Sequence, residues 1–279
     1  MKSRGIVFYV SGSRINHLIP VAVASLRKHY EGPICFVVDP GFSHELREHM
    51  DIVPDCSWIE DKLEHGFPAS MVGLWCRKAW HHIGQYPFDV NLYYDLDHVW
   101  VDAFDYSIFD EIEKHGLLCT SMNKNPAQHR HKKRYAEAVV GHKLPFFHAI
   151  NGGCAGAVKD SIEAHMWVDM IEKTKQNPYL RKNPEEFAMC ILKAEGFVGT
   201  ASYKWSMPIS PKNFEGIKLR KELEPHLAIH CTRGTFYRSR EWCKTFIQCY
   251  NTDFMGLRTI SKGNKKLIDL VRNGIENGI

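Results

Sequence analysis

The chain has 279 residues, 44% of them hydrophobic and 24% charged, a composition that suits a globular protein with a sizeable core. A formal net charge of +4 and a pI near 8.5 favour anionic ligands but fall well short of a nucleic-acid-binding signature. Nine cysteines, an odd number with no C-x-x-C pair, argue against a disulfide framework and a zinc ribbon.

The chain opens on Met1-Lys2-Ser3-Arg4 and enters an apolar run at once, without the pattern of a signal peptide, and no run approaches the roughly 18 apolar residues of a membrane span. The expectation is a soluble, cytoplasmic chain in a reducing compartment, with Cys35, Cys119 and Cys190 as small core residues. Gly5 to Val10 predicts a buried strand, Ser11 to Arg14 a loop, and Ile19 to His29 a helix. Ile34 to Val38 predicts a second buried strand, closed by Asp39-Pro40-Gly41, and Ser43 to Met50 a second helix. This alternation predicts an α/β fold, a mostly parallel sheet with helices on both faces. Ligands of such sheets sit outside the carboxyl ends of the strands. Ser11 to Arg14, Asp39, Asp95 and Asp97 all fall on that rim.

Ala69 to about Tyr86 reads as a long helix with Met71, Leu74, Trp75 and Ala79 facing inward, and it carries Arg77 and Lys78. It precedes the most informative stretch, Val90-Asn91-Leu92-Tyr93-Tyr94-Asp95-Leu96-Asp97-His98. On an extended backbone Asp95 and Asp97 share one face, Leu96 points back into packing, and His98 is turned away. Two carboxylates this close repel each other unless a cation lies between them, and a divalent metal carrying a phosphate answers that need. Two solvated acids at a strand end are the plainer alternative.

Leu117 to Thr120 predicts another strand. Asn123 to Lys143 contains the basic run His129 to Arg134, read either as a solvated, mobile segment or as a loop closing over an anion. Ala149 to Val158, through Asn151-Gly152-Gly153, combines strand character with small residues that permit close backbone approach. Helices are expected at Ser161 to Gln176 and from Asn183 to about Glu195, and a short apolar run, Leu227 to Ile229, ends in His230. Lys262 to Asn277 reads as an amphipathic basic helix that packs on the domain or, in a second reading, touches a membrane surface.

The ordered set resembles a GT-A fold glycosyltransferase, and most of all glycosyltransferase family 8, the group of glycogenin-like and galactosyltransferase-like enzymes. The markers are the opening nucleotide-binding strand, a base at Arg77 or Lys78, Tyr94-Asp95-Leu96-Asp97, Asn151-Gly152-Gly153, the acidic pair Glu185-Glu186 and His230-Cys231-Thr232-Arg233-Gly234. They span Gly5 to about Arg238. The resemblance implies one GT-A domain over 1–250, with a nucleotide-binding half (1–122), an acceptor half (145–250) and a basic helical tail (251–279). It implies Mn2+ or Mg2+ held by Asp95, Asp97 and His230 on the diphosphate of a nucleotide sugar, UDP being the expected nucleotide, with a hydroxyl of a glycan or other molecule as acceptor. Tyr9, Ser11, Asp39, Arg77, Lys78, Asp95 and Arg233 are then nucleotide-sugar contacts. Glu185, Glu186 and Asn151 are the catalytic candidates, Asn151 matching the family's residue near the donor sugar or acceptor.

Two departures bear on mechanism. Family members more often carry Asp-Gln at Glu185-Glu186, where Asn183-Pro184-Glu185-Glu186 also reads as an N-cap, a proline at N1 and a capping-box glutamate. A glutamate facing the sugar instead could deprotonate an acceptor hydroxyl and support inversion, whereas family 8 retains configuration. His230 lacks the family's Lys-Pro-Trp ending, so the base on the leaving diphosphate falls to Arg233, Arg238 or Arg240. Two other functions use the same residues: a haloacid-dehalogenase-like phosphatase with Asp95 as nucleophile, and a non-catalytic sugar-nucleotide-binding protein.

Overall fold

The structure is a computed structural model and describes residues 2–11, 19–40, 55–64, 66–67, 71–100, 103–121, 130–209 and 228–231. The expected helix at Ser43 to Met50, the loop residues Gly12 to Arg14, the tail from 251 onward, and Arg233, Arg238 and Arg240 lie outside the described residues.

Branched and aromatic runs build the sheet. Arg4–Val10 (β1), buried from Gly5 onward, and the fully buried Ile34–Val38 (β2) pair in parallel, Ile6 opposite Ile34. Cys56–Glu60 (β3) extends β2 at the edge, and Val90–Tyr94 (β4) lies parallel on the other side of β1, Ile6 opposite Leu92. Ile150–Val158 (β7) pairs antiparallel with β4 and with Leu117–Ser121 (β6), and Gly199–Ala201 (β8) closes that edge parallel to β6. The seven-stranded order is β3-β2-β1-β4-β7-β6-β8. A second sheet of three short strands, ordered β5-β10-β9, joins His98–Trp100 (β5), Ala228–Cys231 (β10) and Met207–Ile209 (β9).

Six α-helices appear among the described residues: Ile19–Arg27 (α1), Met71–His81 (α2), Ser107–His115 (α3), Lys133–Val140 (α4), Ile162–Gln176 (α5) and Pro184–Ala194 (α6). The core beneath β6 and β7 contains Trp167 of α5 and Phe187, Met189, Ile191 and Leu192 of α6, each large apolar side chain contributing roughly 1.5–3 kcal/mol by leaving water. Two hydrogen bonds fix the start of α6: Trp167 Nε1 donates to Glu185 O and Thr174 Oγ1 to Pro184 O, both at 3.0 Å. Cys35, Cys119 and Cys190 are buried, as expected of core residues. No described helix is long and apolar enough to cross a membrane.

Several expectations need correction. The Asp95-Leu96-Asp97 segment is a turn: β4 ends at Tyr94 and β5 begins at His98, in the other sheet. Leu96 is buried as expected, but the two acids converge through the turn rather than through strand alternation. The helix expected from Ala69 to Tyr86 is the shorter Met71–His81; Ala79 is buried, and the side chains of Met71 and Leu74 lie outside the description. The part of the basic run described is structured, as a 3-10 turn at Arg130–Lys132 leading into α4, which Gly141 ends in the left-handed region at φ 79°.

Candidate active site

The carboxyl ends of β1, β2 and β4 and the start of antiparallel β7 meet on one rim. At the β1–β2 end, Tyr9 Oη donates to Asp39 Oδ1 at 2.9 Å and Ser11 Oγ donates to Asp39 Oδ2. Arg77, brought in by α2, donates from one guanidinium nitrogen to Tyr9 Oη at 2.8 Å and to Asp39 Oδ1 at 3.2 Å, and from the other to Phe67 O at 3.0 Å. Burial holds the Tyr9 phenol well above its ordinary pKa, so it stays a hydroxyl. Tyr9, Ser11, Asp39 and Arg77 therefore form one polar cluster, in which Arg77 braces the others.

At the end of β4, Asp95 and Asp97 face His230 on β10. His230 Nε2 lies 3.1 Å from Asp97 Oδ1 and 3.7 Å from Asp95 Oδ2. The other Asp95 oxygen accepts from Tyr93 Oη and lies 4.0 Å from Lys78 Nζ. Lys78, 2% exposed, donates to Gly152 O at 2.5 Å and sits 5.3 Å from the Tyr93 ring centre. Burial disfavours its charge, but Asp95, Glu185 and Glu186 outweigh that and raise its pKa, so the ammonium persists. His230 is likewise raised, Asp97 and Asp95 overcoming the effect of burial.

His98 was expected to turn away, yet it stacks on His230 with ring centres 4.3 Å apart at 15°, because the two residues are direct partners on antiparallel strands. Asp97, His98 and His230 together bring potential metal-ligand atoms within 4.8 Å of one another. His98 is the poorest ligand of the three. Its Nδ1 is 2.8 Å from Asp95 O and its Nε2 2.7 Å from Ser206 Oγ, so both nitrogens are occupied. Burial, with His230 beside it, pushes the His98 pKa well down and keeps the ring neutral. Two carboxylates with the Nε2 of His230 form a mixed oxygen and nitrogen set that fits Mn2+ well and Mg2+ less well.

Asn151 does not present its amide to the rim. Its Nδ2 donates to Ser206 O at 2.6 Å and Ser206 Oγ at 2.7 Å, and its Oδ1 accepts from Gly153 N at 3.0 Å and faces His230 Nδ1 at 2.9 Å. A register shift in the β6–β7 ladder, where Cys119 pairs with Ala155 but Thr120 with Asn151, lifts Gly152 to Cys154 out of line with β6. Gly153 lies so close to the histidine that a Cβ there would come within 2.3 Å of His230 Cε1. Gly153, expected from the Asn151-Gly152-Gly153 segment to permit close approach, does so toward His230, whereas Ser206 and His98 join the cluster although sequence reasoning gave them no part in it.

The N-terminus of α6 brings the acidic pair to the same place. A Cβ on Gly152 would lie 3.7 Å from both Glu185 Oε1 and Lys78 Nζ and 4.0 Å from Glu186 Oε2. Glu185 is 4% exposed and its Oε2 has no hydrogen-bond partner. Burial lifts its pKa to about 7 against the opposing pull of Lys78, with Glu186 adding to the rise. Pro184 occupies the first turn as expected, and Asn183 makes no side-chain capping bond.

Solved structures share this architecture. The galactosyltransferase LgtC, crystallised with donor and acceptor sugar analogues, superposes with a TM-score of 0.59 at 16% identity over 96% of this chain and 95% of its own. Mouse xyloside xylosyltransferase 1 matches with a TM-score of 0.56 at 12% identity over 84% of this chain and 99% of its own. The bifunctional glycosyltransferase WbbM matches at 0.61 and 11% identity, over 93% of this chain and 52% of its own. The fold is the GT-A fold. No protein-family model matches the sequence, and no curated protein matches it. Within the GT-A fold, the acid pair closes β4 at the sheet's carboxyl rim and the late histidine arrives from the small sheet.

Proposed function

We propose that this chain is a glycosyltransferase that moves a sugar from a nucleoside diphosphate sugar, with UDP as the nucleotide, to a hydroxyl of a glycan or other acceptor. The observation that carries this reading is the convergence of Asp95, Asp97 and His230 Nε2 on the carboxyl rim of a GT-A sheet, next to the Tyr9–Ser11–Asp39 cluster. Asp95, Asp97 and His230 would hold Mn2+ or Mg2+, which when bound supplies Lewis-acid stabilisation for the departing diphosphate.

The protein's own groups divide the remaining work. Tyr9, Ser11 and Asp39 offer hydroxyls and a carboxylate for the nucleoside, with Arg77 holding them in register. Lys78 sets a buried positive charge beside Asp95, where negative charge gathers as the sugar–phosphate bond breaks. Glu185 and Glu186 meet Lys78 beside Gly152, and Glu185, poised near neutrality, is suited to accept a proton from the attacking hydroxyl. The sugar analogues in LgtC support a sugar donor and a sugar acceptor here.

The phosphatase reading fits less well. It requires the acid pair on the first strand with Asp95 free to attack, whereas the pair follows the fourth strand and one Asp95 oxygen is bonded to Tyr93. Incubation with a panel of nucleotide sugars and Mn2+, with and without chelator, tests the assignment. Metal-dependent release of nucleoside diphosphate is expected. Cleavage of a phosphomonoester would restore the phosphatase, and binding without turnover would make the chain a sugar-nucleotide-binding protein.

A further inference from the structure

We propose that Asn151 is a positioning residue that, backed by Ser206 and His98, holds a hydrogen on Nδ1 of His230 and so reserves its Nε2 for a cation shared with Asp95 and Asp97. This rests on the reading of Asp95, Asp97 and His230 as the cation site.

The direction of every hydrogen bond in the chain follows from backbone groups whose roles cannot change. Asp95 O is a carbonyl and accepts only, so His98 Nδ1, 2.8 Å away, carries the hydrogen. The Nε2 of neutral His98 is then an acceptor, and Ser206 Oγ donates to it at 2.7 Å. The Ser206 oxygen in turn accepts from Asn151 Nδ2 at 2.7 Å. Reversing the Asn151 amide would set its oxygen 2.6 Å from Ser206 O and its nitrogen against Gly153 N–H, two repulsive contacts, so the amide has one orientation. Asn151 Oδ1 must therefore accept from His230 Nδ1 at 2.9 Å. Asp97 Oδ1, 3.1 Å from Nε2, accepts a hydrogen there while no cation is present; with a cation in that place the one remaining hydrogen would stay on Nδ1, and Nε2 would offer its lone pair as a ligand.

The chain begins on the backbone of one proposed ligand, Asp95, and ends on the ring of another, His230, and every residue between is buried. It spans both sheets, since Asn151 belongs to β7 of the large sheet while His98 and His230 are paired in the small one. Partners of this kind, bonded to a metal-binding imidazole from behind, set its orientation and basicity, and their loss typically weakens metal binding on the order of 10- to 100-fold. The stacked ring of His98 adds a second constraint, holding the plane of His230 from the side.

Two measurements test this. The first uses the wild-type protein with UDP and the diamagnetic Mg2+: nitrogen-15 NMR, with the His230 signal assigned by its loss in His230→Gln, is expected to show hydrogen on Nδ1 and none on Nε2. The reverse tautomer overturns the proposal whether or not any other variant folds. The second titrates Mn2+ in the presence of UDP, by calorimetry, into wild type, Ser206→Ala, Ser206→Thr, His98→Phe and Asp97→Asn. Ser206→Ala and His98→Phe, which keeps the stack but removes both hydrogen bonds, are expected to weaken Mn2+ on the order of 10- to 100-fold, and Ser206→Thr, which keeps the hydroxyl, to recover most of that loss. If Asp97→Asn abolishes Mn2+ binding while Ser206→Ala and His98→Phe bind as wild type, the positioning role is wrong and the cation site stands. If wild type itself binds no Mn2+, both fail.

Discussion

Gly153 and His230 touch where the two sheets meet, and the contact leaves no room for a side chain: an added Cβ would sit 2.3 Å from Cε1 and 2.6 Å from Nδ1 of the imidazole. Gly153→Ala must push His230 off both Asn151 and Asp97, because Gly153 is itself held by Asn151 Oδ1 on its N–H and by Asp95 N–H on its carbonyl. A stability loss of about 1–3 kcal/mol, typical of overpacking, is expected by urea denaturation, together with weakened Mn2+ binding. Gly152→Ala is the control, since its Cβ would meet only ordinary contacts at 3.7–4.0 Å. Equal loss in both variants would mean that the His230 contact is not what excludes a side chain.

Glu185 makes stability depend on pH. Its folded-state pKa of about 7 lies above the ordinary 4.5, so between those values the unfolded chain releases a proton that the folded chain keeps. Stability therefore falls as pH rises through that window and stays lowered above it. The shift corresponds to about 3 kcal/mol. Glu185→Gln is expected to be more stable than wild type by up to that amount above neutral pH and to show no such gain below the window. A difference independent of pH would show that the carboxyl does not titrate in a buried place.

Arg77→Lys tests the brace on the Tyr9–Ser11–Asp39 cluster proposed to hold the nucleoside. The guanidinium fork reaches Tyr9, Asp39 and Phe67 O together, which an ammonium cannot do. A cost of about 1.5–3 kcal/mol is expected for the charge-assisted bonds lost, with weaker binding of UDP by calorimetry. Undiminished UDP affinity would detach this cluster from the nucleotide.

Asp97→Ala is expected to abolish metal-dependent turnover while leaving the fold intact, because Asp97 lies on a turn rather than within a strand. The metal-free protein offers a second reading of the same change. His230 has a folded pKa above the ordinary 6.5, so it contributes stability that is fully present below that value and lost as pH rises through the folded one. Removing Asp97 takes away the largest charge effect raising it, so wild type and variant should differ most at acid pH and converge at alkaline pH. Turnover that persists in Asp97→Ala with chelator present would sink the metal mechanism.

The parts of the fold that announce themselves are those with long, uniform burial. β1, β2 and β4 read as strands because unbroken apolar runs end at turn formers, and α5 and α6 because their apolar spacing is carried over several turns. β3 is a partly exposed edge with a mixed pattern, and β5, β8 and β9 have three residues each, too few to show a period. The same limit misplaced Asp95 to Asp97, since three residues cannot distinguish the end of a strand from a turn. Acids and a late histidine are legible by type and order. Ser206 is not: its partners Asn151 and His98 are 55 and 108 residues away, and a serine beside a tryptophan carries no local mark of either.

The turn from β4 to β5 is also a joint between sheets, and it gives a bound cation a mechanical part. Asp97 stands just before the small sheet's first strand and His230 on its middle one, far apart in sequence, so an ion shared between them and Asp95 would tie two distant points of the chain with one fastening. Stability should then rise with divalent-ion concentration by mass action, if the proposed cation site holds. Chelation should loosen the three short strands before the seven-stranded sheet, visible as early hydrogen exchange at Val99, Trp100 and Ile229 while the amides of β1 and β2 remain protected.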